Sequence, residues 1–282
     1  MHAGWTEYFF DGIELEVWGN KIEGAQINYD GNLALSWQVL WKGPFILDQQ
    51  LDGAKEPGEH LPSFLAEHSH RWKGEKSYLY LDSGCSAANY VNATDAAGFS
   101  AWSISYNKLT DKLEQLARAL PESAWRCWSG ADGLIEQYAW PAASARGLCP
   151  GACVCGGAAQ AVRGVVLQVW VCDVRTCGAS QSGGGCLNGT RSRGAKEQCF
   201  SQLLSDLDLQ YPPCLELIAN QMFYAIATLT YNILVAVRVM ELPDDAQGWR
   251  IQSMVRHLLT VPVVISRHAR YRRAKVCASR MA

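Results

Sequence analysis

What the chain lacks narrows its class before anything it contains. No basic-then-apolar leader opens it, so the N-terminus predicts no secretion signal. Without secretion, a disulfide framework is not expected. No His lies between residues 71 and 256 and no Cys-x2-Cys pair occurs among the 11 Cys, which removes the commonest spacings of a zinc site. Charge is sparse: 18% of the 282 residues are charged, and a net charge of −2 does not mark the whole chain as a polyanion binder. The longest nearly uncharged run, residues 222–237, counts 16 residues and is too short to span a membrane. Asn220, Gln221 and Asn232 interrupt it, and it reads as a buried core helix.

What is present is globular. With 49% hydrophobic residues, the length fits one sizeable domain plus an insertion. Residues 6–50 alternate apolar runs (Tyr8–Trp18, Ala25–Tyr29, Leu33–Trp41) with Gly and Asn breaks, which predicts a meander of three antiparallel strands. Asp52–Pro62 reads as a loop, Leu61–His70 as a short helix, and Ser77–Leu81 as a strand parallel to the first. Ala87–Gly98 reads as a helix closed by its glycine, Phe99–Ser105 as a strand, and Thr110–Leu120 as a helix stopped by Pro121. Strands, crossover helix, strand and helices make a mixed sheet with helices on its faces.

Three acids stand out against that order. Asp11 follows Tyr8-Phe9-Phe10 on the first strand, Asp82 closes Ser77–Leu81 and opens Ser83-Gly84, and Glu197 lies in a segment of helical composition. Acid on strand, acid at strand end and acid on helix is the sparse carboxylate set that two Mg2+ ions need beside a phosphate. Each acid alone has an ordinary reading: Asp11 capping a turn with Gly12, Asp82 forming a turn, Glu197 favoured by a helix N-terminus.

The neighbours of these acids resemble the DDE transposases of bacterial insertion sequences, which carry a ribonuclease H-like catalytic domain. Asp11–Gly19 with Lys21–Tyr29 looks like the first-acid strand and its hairpin, and Leu79–Gly84 like the second-acid strand. Tyr106–Asp111 with Leu120–Trp125 looks like the following segment. Arg193-x3-Glu197 is similar to the Tyr-x2-Arg-x3-Glu-x6-Lys signature, with Phe200–Asn232 behind it and the tail Gly248–Arg272 after. The signature's Tyr position holds Thr190 and its Lys position Leu204, so the departure falls on placing the DNA end rather than on metal coordination. The short stretch before Asp11 leaves no room for the DNA-end-binding domain such proteins usually carry.

The resemblance implies an α/β, ribonuclease H-like mixed sheet flanked by helices, with an insertion before the final catalytic helix. It divides the chain into a first part of the core (1–125), an insertion region (126–192), the catalytic-Glu helix and core helix (193–247) and a basic tail (248–282). Asp11, Asp82 and Glu197 would hold two Mg2+ ions, with Mn2+ as a substitute. Arg193 and Lys108 would contact phosphate. After Asp245 there are eight Arg or Lys and no acid, and Arg267, Arg270, Arg272, Arg273 and Lys275 could neutralise DNA phosphates or simply form a solvated tail.

Residues 143–192 differ from the rest, with 10 Gly, 6 Cys, no Lys, Asp173 as the single acid and Trp170 as the single aromatic. This composition reads as translation in a shifted frame of GC-rich DNA. A divergent insertion, or a zinc site built from Cys149, Cys153, Cys155, Cys172, Cys177 and Cys186, is the alternative. Val162–Val174 is the one stretch expected to form a strand, the remainder being loop-like. The expected protein is a cytoplasmic transposase that cleaves and joins DNA, self-associates in a synaptic complex, and needs neither membrane nor small-molecule substrate. A truncated or inactive copy, or a DNA-binding or oligomerising remnant without chemistry, is the alternative.

Overall fold

The computed structural model describes residues 4–19, 21–28, 30–53, 58–106, 121, 123, 126–129, 135–143, 152–161, 164–173, 197–260, 263–268 and 271–276. It is a mixed parallel and antiparallel sheet with helices on both faces. The strands are β1 (Thr6–Glu16), β2 (Gln26–Ile27), β3 (Leu33–Lys42), β4 (Phe45–Gly53), β5 (Ser77–Leu81), β6 (Ala101–Tyr106), β7 (Arg126–Ser129), β8 (Ile135–Ala143), β9 (Ala152–Ala161) and β10 (Gly164–Asp173). Their order is β2-β3-β1-β5-β6-β10-β9-β8-β7, with β4 beside β2 on the outer edge of β3. β1, β5 and β6 run parallel, whereas β3 is antiparallel to both β1 and β4. A separate hairpin pairs β11 (Val263–His268) with β12 (Tyr271–Val276).

β5 is buried along its whole length and β3 nearly so, as apolar runs with helices on both sides must be. One face carries Tyr8, Phe10, Leu79, Leu81, Trp102 and Ile104, and packs on α1 (Leu61–His68) and α2 (Ala88–Ala96). Pro62 starts α1, and Gly98, at φ +81°, ends the turn after α2 in a backbone conformation that side chains resist. The opposite face carries Phe9, Trp37, Val39, Trp41, Tyr78 and Tyr80. It is covered by α3 (197–201, running into a π-helical turn at Gln202–Asp206), α4 (Leu217–Met240) and α5 (Ile251–Met254).

Three expectations change. The predicted meander is replaced by direct pairing of β1 with β3 from Tyr8↔Lys42 to Glu16↔Ala34, while β2 shrinks to two exposed residues on the far side of β3. The Asn28 side chain accepts the N–H groups of Asp30 and Asn32, so that stretch is spent on a turn. A fourth strand, β4, lies where none was expected, because Asp48, Gln49, Gln50 and Asp52 mask its alternation. Residues 143–192 hold β9 besides the expected strand, which appears as β10, and β7 and β8 precede them in the insertion region. Ladder hydrogen bonds need no side-chain pattern, so the Gly- and Ala-rich β9 gave little strand signal. The predicted helix Thr110–Leu120 lies outside the described residues.

α4 is longer than the run that marked it. Its 24 residues make it long and apolar enough to cross a membrane by length and composition. One face is nevertheless packed, through Asn220, Tyr224, Ala227, Tyr231 and Val235, and the other is exposed, so it is not the fully buried core helix expected. The amides that broke the apolar run anchor it. Asn232 bonds both backbone groups of Ile46 (Oδ1 accepting at 2.9 Å, Nδ2 donating at 2.8 Å), and Gln221 Nε2 donates to the Leu51 carbonyl at 2.9 Å. Both reach the outer edge of β4, where unpaired backbone groups would otherwise be exposed.

Candidate functional site

The site begins with a register. Phe9 stacks on Tyr80 with ring centroids 4.9 Å apart, and Phe10 pairs with Leu81 across the parallel β1 and β5. The next residue on each chain is an acid, so Asp11 and Asp82 stand side by side at the carboxyl end of β5. Alternation puts Asp11 on the face of Phe9 and Ile13. Asp82, with extended backbone (φ −79°, ψ 168°), continues the alternation of Tyr78 and Tyr80 onto the same face.

Both carboxylates are held alike. Asp11 Oδ1 accepts the N–H of Gly12 at 2.9 Å, and Asp82 Oδ1 accepts the N–H of Ser83, capping the turn Ser83–Cys85. The turn expected at Asp82 is present, whereas Asp11 and Gly12 lie inside β1 and make no turn; in both places the contact fixes a carboxylate's direction. Both groups are half-buried.

Glu197 reaches this face by a different route. Phe200 packs edge-on against Trp37 (6.3 Å) and Trp41 (5.6 Å), the residues that flank Val39, and Val39 is the register partner of Asp11. The turn that begins at the exposed Glu197 is thus pinned over the strand beside Asp11. Glu197 and Phe200, three residues apart, lie on one side of α3. Leu204, at the signature's Lys position, is partly buried against the same core and serves packing. Arg250 and Asp206 secure the end of this segment: the guanidinium bonds the Asp206 carboxylate at 2.8 and 3.2 Å, raising the Arg250 pKa, and Asp206 Oδ2 also accepts the N–H of Gln252.

The basic tail is a hairpin. Arg267 and Arg272 are register partners, Arg273 pairs with Ser266 and Lys275 with Val264, and Arg267, Arg272 and Arg273 are exposed. Like charges directly opposite each other on a two-stranded sheet repel. Arg193, Lys108 and Arg270 lie outside the described residues, and so do Cys149, Cys177 and Cys186 of the zinc alternative. Cys153 and Cys172 are register partners in β9 and β10.

One cluster escaped the sequence reading. Donor atoms of Asp48, Glu67 and His68 lie within 4.8 Å of one another, a group that could hold a metal ion. Its centre is already a contact, His68 Nε2 to Asp48 Oδ2 at 2.7 Å, and farther along β4 His60 Nε2 approaches Asp52 Oδ2 at 3.7 Å. Two His–Asp couples along β4 tie down both ends of α1. Only the hidden strand β4 could have revealed the cluster, since Asp48 and His68 are 20 residues apart. The chain matches no protein-family model and no curated protein.

Proposed function

We propose that this chain is the catalytic part of a DDE transposase, built on a ribonuclease H-like sheet, that cleaves a DNA end and joins it to target DNA. The observation that carries the reading is that Asp11 and Asp82 each directly follow one member of the register pair Phe10–Leu81 on parallel strands, with the turn that begins at Glu197 seated on the same face of the sheet. The sheet, antiparallel on one side of β1 and parallel on the other with helices on both faces, is compatible with the mixed sheet of such a fold.

The donor set fits hard cations. All three side chains offer oxygen only, and two of them are fixed by the N–H of the residue that follows, Gly12 and Ser83, so Asp11, Asp82 and Glu197 would hold Mg2+, or Mn2+ in its place. Bound there, the two ions would supply a Lewis-acid clamp and an activated oxygen nucleophile for in-line displacement at phosphorus. The chain's own part is positional. Phe200 in its Trp37–Trp41 notch sets the Glu197 turn, and the β1–β5 register sets the two Asp. No side chain needs to form a covalent intermediate. Arg193 and Lys108 are assigned to phosphate near the reacting end, and the hairpin cations Arg267, Arg270, Arg272, Arg273 and Lys275 to DNA backbone, which would relieve the Arg267–Arg272 repulsion. The working compartment is the cytoplasm, on the nucleoid.

The test is nicking of supercoiled DNA in Mg2+ or Mn2+. Wild type is expected to nick only with the metal, and Asp82→Asn to lose at least ~100-fold. Undiminished metal-dependent nicking by Asp82→Asn would overturn the proposal. A folded wild type that binds DNA but never cleaves it would instead favour the non-catalytic remnant.

A further inference from the structure

We propose that the exposed face of α4 is a self-association surface, on which two copies of the chain pack α4 against α4. Ile218, Met222, Ile226, Leu229, Ile233 and Met240 are each more than half exposed, and Phe223 adds to the stripe at 37%. Their steps of four, four, three, four and seven residues follow the 3–4 repeat that lines one side of a helix and interlocks with a second. Twenty-two residues at 1.5 Å make the stripe ~33 Å long.

The choice of a second copy over other occupants follows from charge, area and anchorage. From Leu217 to Val237 the helix carries no charged residue, so nothing on the stripe would repel its own image about a two-fold axis. Arg238, at the far end, is turned away and bonds the Trp249 carbonyl at 2.9 Å. Seven large side chains at roughly 100 Å² of exposed area each approach the ~800 Å² per partner that a specific interface buries. A lone monomer rarely leaves so large a continuous apolar patch in water. Insertion into a bilayer is opposed by the other face. Asn220, Gln221 and Asn232 hold the helix to the Cys214 backbone and to β4, and Tyr224 and Tyr231 are buried against Trp37 and Trp41. A helix lying on a membrane surface would carry Lys or Arg along its polar border, and α4 has none there.

The inference stands apart from the DNA chemistry, since it concerns a different element and needs no metal. Sedimentation of the full chain across a concentration series tests it, alongside Ile226→Glu/Ile233→Glu and flotation with vesicles of mixed neutral and anionic phospholipid. The expected result is a wild-type dimer whose dissociation constant rises at least ~100-fold in the double variant, with circular dichroism unchanged, and no flotation. Should the double variant lose its fold, Ile226→Gln/Ile233→Gln is read in the same way. A monomeric wild type, a dimer indifferent to both variants, or co-flotation with vesicles would each overturn it. Loss of nicking with an intact dimer would sink the proposed function alone.

Discussion

Phe10 of β1 and Leu81 of β5 are partners in a parallel register, and each is followed directly by an aspartate. Two half-buried acids thereby leave the ends of a register pair on neighbouring strands. A divalent cation takes oxygen ligands of this kind.

That arrangement predicts a metal-linked stability. Mg2+ or Mn2+ at tenfold excess over its dissociation constant should raise wild-type stability by about 1.4 kcal/mol. Asp11→Asn and Asp82→Asn should gain little from metal. Thermal melts with and without the cation check this, and a variant that responds like wild type would show the pair is not the binding site.

Phe200 is the hinge of the Glu197 placement. Phe200→Ala empties the notch between Trp37 and Trp41 and should cost about 3–5 kcal/mol in a denaturant titration. Phe200→Leu should recover most of the stability. If Phe200→Ala leaves the unfolding midpoint unmoved, α3 is not seated on the sheet as described.

Asn232 satisfies both backbone groups of Ile46 with one side chain. Asn232→Leu keeps the volume and orphans a donor and an acceptor on β4, for an expected loss of about 2 kcal/mol. Hydrogen exchange at the Ile46 amide should accelerate in the variant, and unchanged protection would contradict the contact.

Tyr224 and Tyr231 are both buried on α4, and burial raises both pKa values above the usual tyrosine range. A raised folded-state pKa means their stabilising contribution is complete below about pH 10, the unfolded value, and is lost as pH climbs toward the folded one. Tyr224 donates to the Leu209 carbonyl at 2.7 Å, whereas the Tyr231 hydroxyl lies beside Cys199 and Arg238 without a hydrogen bond of ordinary geometry among the described residues. Tyr224→Phe should therefore cost about 1 kcal/mol near pH 7 and Tyr231→Phe almost nothing. Either change should flatten the alkaline loss of stability, and melts between pH 7 and pH 11 would show whether it does.

Arg267 and Arg272 give a salt-dependent prediction. Replacing both with Ala should weaken DNA binding regardless of sequence and reduce the slope of log affinity against log salt by about 1.8. An unchanged slope in a binding titration would return the hairpin to the status of a solvated tail.

Much of the central fold could be read from the chain because its signals are local. Ser77–Leu81 is an uninterrupted apolar run and appears as the central parallel strand, and Gly98 ends the second helix as its freedom at positive φ allows. β4 was hidden because its polar residues serve neighbours far along the chain: Asp48 meets His68, and Gln49 accepts from the indole of Trp37 at 2.7 Å. α4 was shortened for a related reason, since its Asn and Gln look like breaks until β4 is there to receive them.

The order of residues by itself determined which stretches are strands and helices in the core, and that acids follow Phe10 and Leu81, because propensity and alternation act over a few residues. Only the tertiary structure decided that β1 and β5 are neighbours in that register, that Phe200 seats the turn beginning at Glu197 against β3, and that α4 leaves one face in water. Those outcomes depend on contacts between residues tens to nearly two hundred positions apart, and no local pattern specifies which distant surface a side chain will meet.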